Sequence, residues 1–205
     1  METLALSPIE WGVASRALPG QTTSGDLSVV KPFADGVLVA ALDGLGHGEE
    51  AATAAAVAAA TLETHAAEPV AELFQRCHEA LRSTRGVTLS VASLNLSRGQ
   101  VAWLGVGNVE GVLLRCGFAR AEEEVPLLLR AGIVGHQLPS LEAEVLPLAA
   151  GDTLIFATDG IHTDFVRGSA LKYPPRTAAE NILAQHGKAT DDALVLVARY
   201  LRDRA

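Results

Sequence analysis

An α+β sandwich is the fold class this sequence predicts, and three observations carry it. Short apolar runs joined by hairpin dipeptides occupy both ends of the chain. Two helical segments fall together early and one falls late. No regular alternation of strand and helix runs through the sequence, which argues against a doubly wound parallel sheet. The 205 residues are enough for one domain, 1–205, with a substantial core, and with aromatics at only 4% that core is built from Ala, Val and Leu.

Taken in order, Ile9 to Leu18 alternates loosely and reads as a first strand. Pro19-Gly20-Gln21-Thr22-Thr23-Ser24-Gly25 is loop chemistry, and Asp26 then opens a strand at Leu27-Ser28-Val29-Val30. Asp35-Gly36 is a hairpin turn into the apolar run Val37–Asp43. A helix is expected over 49–64, with Glu49 and Glu50 in its first turn, where acids suit the dipole. Pro69 begins a second helix at the position where proline is tolerated, with Leu73, Cys77, Ala80 and Leu81 on one face and an end near Arg85-Gly86. Strands follow over 87–96, 101–106 and 109–114, separated by Ser97-Arg98-Gly99 and Gly107-Asn108. The segment 118–130 is ambiguous, its Glu122-Glu123-Glu124 reading as solvated loop or strand end. Residues 141–148 alternate, Ala150-Gly151-Asp152 turns into a strand ending at Asp159, and Pro174-Pro175 precedes a helix near 177–185 closed by Gly187. Asp191 opens the last strand, and 199–205 trails off charged.

Composition removes several function classes. A formal charge of −8 with no basic cluster argues against a nucleic-acid surface. The most apolar helical stretch, Ala51 to Ala60, is followed by Glu63 and His65 and falls short of the ~20 residues a membrane span requires. No secretory leader is visible at Met1-Glu2-Thr3, so a cytoplasmic protein is expected, with Cys77 and Cys116 as reduced core thiols.

The chemistry is carried by acids. Asp26, Asp43, Asp159 and the pair Asp191-Asp192 each stand at a strand boundary, three of them beside glycine (Gly25, Gly44 and Gly160). Any single Asp-Gly pair is most simply a turn, and Asp35 and Asp152 are left as turns on that ground. Four acids at matched strand ends are a different matter, because gathered carboxylates repel one another unless divalent cations neutralise them. Oxygen-only ligation points to Mg²⁺ or Mn²⁺ rather than zinc. Two such ions about 3.5–4 Å apart can activate a water for attack on phosphorus. A dinucleotide site is the rival for the glycine-rich turn, but Gly44, Gly46 and Gly48 do not match G-x-G-x-x-G.

Ser24-Gly25-Asp26, Asp43-Gly44-Leu45-Gly46-His47-Gly48, Thr158-Asp159-Gly160-Ile161 and Thr190-Asp191-Asp192-Ala193 follow the order and spacing of a known family. The chain resembles the metal-dependent PPM-type serine/threonine protein phosphatases, in particular the bacterial SpoIIE/RsbU/RsbX branch with its Asp-Gly-x-Gly-His-Gly turn. The likeness spans nearly the whole chain, including Leu104–Gly111 between the metal motifs. It implies a four-layer α/β/β/α sandwich of two antiparallel sheets and two Mn²⁺ or Mg²⁺ ions. By the same likeness Asp43 bridges both ions, Gly44 offers its carbonyl to one, and Asp159 and Asp191 complete the second. Asp26 holds an ion or a water on it, and Asp192 supports Asp191. The implied reaction is in-line attack of the activated water on phosphoserine or phosphothreonine, without a phospho-enzyme. The implied partners are phosphorylated bacterial regulators, either stressosome scaffold proteins or anti-sigma-factor antagonists, met by a cytoplasmic monomer. A non-catalytic phosphoprotein-binding module of the same fold is the alternative.

Two departures from the family pattern stand out. Leu45 occupies the place where many relatives carry histidine, and His47 comes two residues later. His47 is therefore a candidate for proton transfer or for packing and capping the turn, with His162 as a rival. The phosphate-binding arginine of some relatives has only Arg16 as a counterpart, ten residues before Asp26. Choice of partner is expected to lie in surface loops such as 118–139.

Overall fold

A computed structural model describes residues 8–116, 123–165 and 172–201. One sheet is ordered β1-β11-β10-β6-β7, from strands β1 (Ile9–Arg16), β6 (Glu110–Arg115), β7 (Glu123–Pro126), β10 (Thr153–Ala157) and β11 (Ala193–Tyr200). The other is ordered β2-β3-β4-β5-β8, from β2 (Asp26–Phe33), β3 (Gly36–Gly44), β4 (Val87–Asn95), β5 (Gln100–Val106) and β8 (Leu129–Arg130), with β9 (Glu144–Pro147) also pairing β5. Every pairing is antiparallel except the short parallel contact of β5 with β8. Helices α1 (Glu49–Thr64) and α2 (Val70–Ala80) cover the second sheet, and α3 (Pro175–His186) covers the first.

The layering follows from the strand pattern. Leu38, Ala40 and Leu42 of β3 pack toward the helices, while Val37, Val39 and Ala41 face the opposite sheet. β11 divides likewise, with Val195 and Val197 toward α3 and Leu194 and Leu196 toward the middle layer. Strands buried on both faces carry apolar residues at every position, which is why both read as continuous runs rather than alternating ones. Each fully buried Leu or Phe in these layers contributes about 1.5–3 kcal/mol relative to exposure. Trp103, fully buried between the sheets, donates its indole N–H to Glu144 Oε2 at 3.0 Å, as a buried indole requires.

α1 lies so close to β3 that a Cβ on Gly44 would come within 2.1 Å of the Ala51 carbonyl oxygen. The buried face of α1 is Ala51, Ala54, Ala55, Ala58 and Leu62, and its small side chains permit that approach. This contact ties the end of β3 to the helix that follows it.

Several local expectations change. α2 ends at Ala80, and Gly86 instead has φ of +80° and gives its carbonyl to the Leu45 N–H. Cys77 is buried, but Cys116 is exposed at the end of β6 and is not a core thiol. Asp152 is indeed at a turn, yet it is buried, paired with Arg115 at 2.7 Å and bonded to the Ala149 and Cys116 N–H groups. Glu123 and Glu124 are exposed in β7, while 117–122 lie outside the described residues, as do 1–7, 166–171 and 202–205. Among the described residues no helix is long and apolar enough to cross a membrane.

Candidate active site

Strand register and strand ends bring the acids to one end of the sandwich. Asp26 opens β2 directly opposite Asp43 near the end of β3. Asp159 follows β10, and Asp191 and Asp192 precede β11, so these three come from the facing sheet. Two buried bonds span the gap between the sheets. Thr158 Oγ1 donates to Asp26 Oδ2 at 2.7 Å, and Asp192 Oδ2 accepts the Gly25 N–H at 2.7 Å. The Gly44 N–H bonds the Gly25 carbonyl at 3.1 Å, so the starts and ends of the two ligand-bearing strands are fastened together.

The acid pair before β11 divides cleanly. Asp192 is 3% exposed and spends both oxygens on backbone: Oδ1 on the Leu18 N–H and Oδ2 on the Gly25 N–H, each at 2.7 Å. It shapes the loop leading into Asp26. Asp191 is half-buried, and among the described residues it accepts only the Asp192 N–H, at 2.9 Å through Oδ1.

The charge state reports the crowding. Burial, with Asp43 and Asp192 nearby, pushes Asp26 up to about 8 despite its bond from Thr158. Burial, with Asp159, Asp191 and Asp192, pushes Asp43 up to about 7, against a bond from Asn108. Asp159 is also raised, first by burial and then by Asp191, with Lys188 and Asn108 opposing. Carboxylates that hold protons near neutral pH are carboxylates short of positive charge.

Asn108 was legible only as a turn residue, and the structure gives it more. Its amide donates to Asp159 Oδ2 at 2.8 Å and it also bonds Asp43, while its own Oδ1 accepts from Thr88 Oγ1. It therefore links the two sheets' acids and is itself held in orientation. Thr158 is the second residue the sequence reading left without a role. A Thr directly before Asp-Gly was the signal available, but its bond to Asp26 spans 132 residues of chain.

The histidines are less engaged. His47 is exposed, and among the described residues its imidazole has no hydrogen-bond partner; the N-cap of α1 is Gly48 with no side-chain bond, so His47 does not cap the helix. His162, three residues after Asp159, is exposed, its backbone N–H bonded to the His186 carbonyl. Gly46 and Gly48 have φ of +90° and +78°, the left-handed region that makes glycine fitting in this turn. Arg16 does not reach Asp26; its guanidinium bonds the Lys188 carbonyl. Arg85 lies over the Gly46 turn and pairs with Glu50.

Among the described residues no three His, Cys, Asp or Glu side chains are close enough together to hold an ion unaided. Mg²⁺ and Mn²⁺ take oxygen ligands, and Mg²⁺ keeps several of its waters when bound. Oxygen-only donors, unneutralised and drawn from four strand ends, fit such an ion.

The model of the SpoIIE family, Stage II sporulation protein E, matches residues 34–201. The chain belongs to the SpoIIE family. Within it, the phosphoserine phosphatase RsbX of Bacillus subtilis (strain 168) is 25% identical over 178 residues, 87% of this chain and 87% of RsbX. A chain solved in work on the bacterial stressosome, as a modular system adapted to control secondary messenger signalling, superposes with a TM-score of 0.84. It is 29% identical, over 93% of this chain and 99% of that one. RsbX in complex with magnesium is 22% identical with a TM-score of 0.78, over 93% of this chain and 94% of that one, and shares the fold. This SpoIIE-family chain is thus a PP2C-type phosphatase related to RsbX, and the sandwich is the PP2C fold.

Proposed function

We propose that the chain hydrolyses phosphoserine and phosphothreonine on bacterial stress-signalling regulators of the stressosome-scaffold type, using Mn²⁺ or Mg²⁺, and so resets the response. The observation that carries the metal requirement is the acid set itself. Asp26 and Asp43 face each other across one sheet, meet Asp159 and Asp191 from the other, and are pushed up to about 8 and about 7. Such a set is stable as carboxylates only beside added positive charge.

On this reading Asp43, the Gly44 carbonyl, Asp159 and Asp191 would hold the ions, and Asp26 would hold an ion or its water. When bound, the ions supply a water of lowered pKa and polarise the phosphoryl oxygens. The chain's own contribution is placement. Asp192 sets the loop before Asp26, Thr158 orients the Asp26 carboxylate, and Asn108 fixes Asp159 relative to Asp43. His47, exposed on the turn beside these acids, is the group suited to giving a proton to the departing serine or threonine oxygen.

Support for the stressosome partner comes from the likeness to RsbX and to the chain from the stressosome work. Part of the segment 118–139 lies well for partner choice: Val134 pairs with Val87, and His136 Nε2 meets the Arg85 carbonyl beside the Gly46 turn. The protein acts as a cytoplasmic monomer on this reading. The test is phosphate release from a phosphorylated stressosome scaffold protein and from a phosphorylated anti-sigma-factor antagonist, each with Mn²⁺ and with chelator. Faster metal-dependent release from the scaffold protein is expected. Preference for the antagonist would reassign the partner, and binding without turnover of either would leave a phosphoprotein-binding module.

A further inference from the structure

Among the described residues a cation, Lys188, stands against Asp159, and the arginine that some relatives carry before the first Asp does not account for it. Lys188 lies in the connection between α3 and β11, and the connection is zipped along the Asp159 turn. The Lys188 N–H bonds the Gly160 carbonyl at 2.7 Å, Ile161 pairs with Gly187, and the His162 N–H bonds the His186 carbonyl at 2.9 Å. Arg16 closes the other side by bonding the Lys188 carbonyl. The side chain then turns inward, and its ammonium donates to the Asp159 main-chain oxygen at 2.5 Å. Backbone donor, backbone acceptor and side chain are all fixed, an uncommon degree of restraint for a lysine, whose free side chain is rich in rotamers.

Its charge is not consumed there. Among the described residues no carboxylate lies within ion-pair distance of Lys188, and its partner is a neutral carbonyl. An ammonium has three donors, and one is spent. Of the nearby cations, Arg85 is paired with Glu50, and Arg16 is turned away from Asp26 onto the Lys188 carbonyl. Lys188 is half-buried, and its charge opposes the upward push of burial on both Asp159 and Glu110. A pre-positioned ammonium on the rim of an acid cluster, with unspent donors, suits the dianionic phosphoryl group of a substrate that the acids themselves would repel.

We propose that Lys188 binds the substrate phosphoryl group, in the role that an arginine fills in some relatives, and that Arg16 is a positioning residue acting through the Lys188 backbone. The inference rests on the phosphatase reading of the same site. The test uses the full chain with Mg²⁺ and Mn²⁺, comparing wild type, Lys188→Gln, Lys188→Arg and Arg16→Gln. Inorganic phosphate is the probe, its binding measured by calorimetry with Mg²⁺ and its inhibition constant against a phosphoserine peptide with Mn²⁺.

Loss of one charge-assisted contact predicts roughly ten- to a hundredfold weaker phosphate binding in Lys188→Gln. A matching rise in KM is expected, with partial recovery in Lys188→Arg and a smaller effect in Arg16→Gln. The Mn²⁺ concentration for half-activation stays the same, because a lysine that merely braced the Asp159 turn would shift that value instead. Unchanged phosphate affinity in Lys188→Gln while wild type turns over, or a shift confined to Mn²⁺ activation, overturns the assignment. Absence of turnover and of metal-dependent phosphate binding in wild type overturns the phosphatase reading and this inference with it.

Discussion

Replacing Asp192 by alanine separates the supporting acid from the ligating one. Asp192 is 3% exposed, and its two oxygens accept the Leu18 and Gly25 N–H groups, each at 2.7 Å. Truncation leaves the Gly25 N–H buried and unpaired and the Leu18 N–H partly so. Each charge-assisted bond lost costs about 1.5–3 kcal/mol. Against this, Asp192 contributes to the repulsion that raises Asp26 and Asp43, and its removal returns about 1 kcal/mol by the Coulomb scale for partly shielded pairs. The bonds win, and a net destabilisation of about 2–5 kcal/mol follows. At about 2–4 °C per kcal/mol for a chain of this size, Tm falls by roughly 10 °C. Asp191→Ala, which removes only the local bond to the Asp192 N–H, costs about 1 kcal/mol or less. Its effect is on the metal, with the Mn²⁺ concentration for half-activation rising at least about tenfold. The assays are urea unfolding in chelator and Mn²⁺ dose–response of phosphate release. Near-native stability of Asp192→Ala with lost metal activation, and the opposite in Asp191→Ala, would refute the division of roles.

Two further outcomes follow from the same geometry. Asp26 and Asp43 have unfolded values of 3.8 and folded values of about 8 and about 7, so between those limits the folded metal-free protein binds more protons than the unfolded chain. Their contribution to stability is fully present below pH 3.8 and is lost as pH rises through about 7 and about 8. Urea unfolding in chelator from pH 5 to pH 8 checks this: Asp26→Asn flattens the slope, and Mn²⁺ reverses it by displacing the protons. Asn108→Ala removes the amide between Asp43 and Asp159 and raises the Mn²⁺ requirement by about tenfold with little change in Tm, read from the same dose–response; an unaltered requirement would show that the amide does not orient Asp159.

The readable part of this fold was the part encoded locally. Gly25-Asp26, Asp43-Gly44 and Asp159-Gly160 mark strand boundaries with an acid and a glycine, and the bounds of α1 follow from its two glutamates and its alanine run. The early end of α2 was not legible, because residues 81–86 carry no breaker before Gly86, and what stops the helix is the docking of Gly86 onto Leu45 and its neighbours onto Val134. Asp191 and Asp192 look alike in sequence; only the Leu18 and Gly25 N–H groups, more than 160 residues away, distinguish them. Asn108 and Lys188 were hidden for the same reason. One sits in a hairpin dipeptide and the other behind a helix-ending glycine, and their partners are carboxylate and carbonyl groups of Asp159 on another strand. The burial of Cys116 was not legible, because a reducing compartment bears on a thiol's oxidation and not on its exposure, which is set by its place at the end of β6.

Phosphate release from a phosphoserine protein with Mn²⁺, compared between wild type and Asp43→Asn, bears most directly on the central claim. Asp43 is the acid opposite Asp26 and in the field of Asp159 and Asp191, and the Asn substitution keeps its shape while removing its charge. The account predicts metal-dependent release that chelator abolishes in wild type and that falls by at least about a hundredfold in a folded Asp43→Asn protein. Release that persists in chelator, or in Asp43→Asn at wild-type rate, would contradict it.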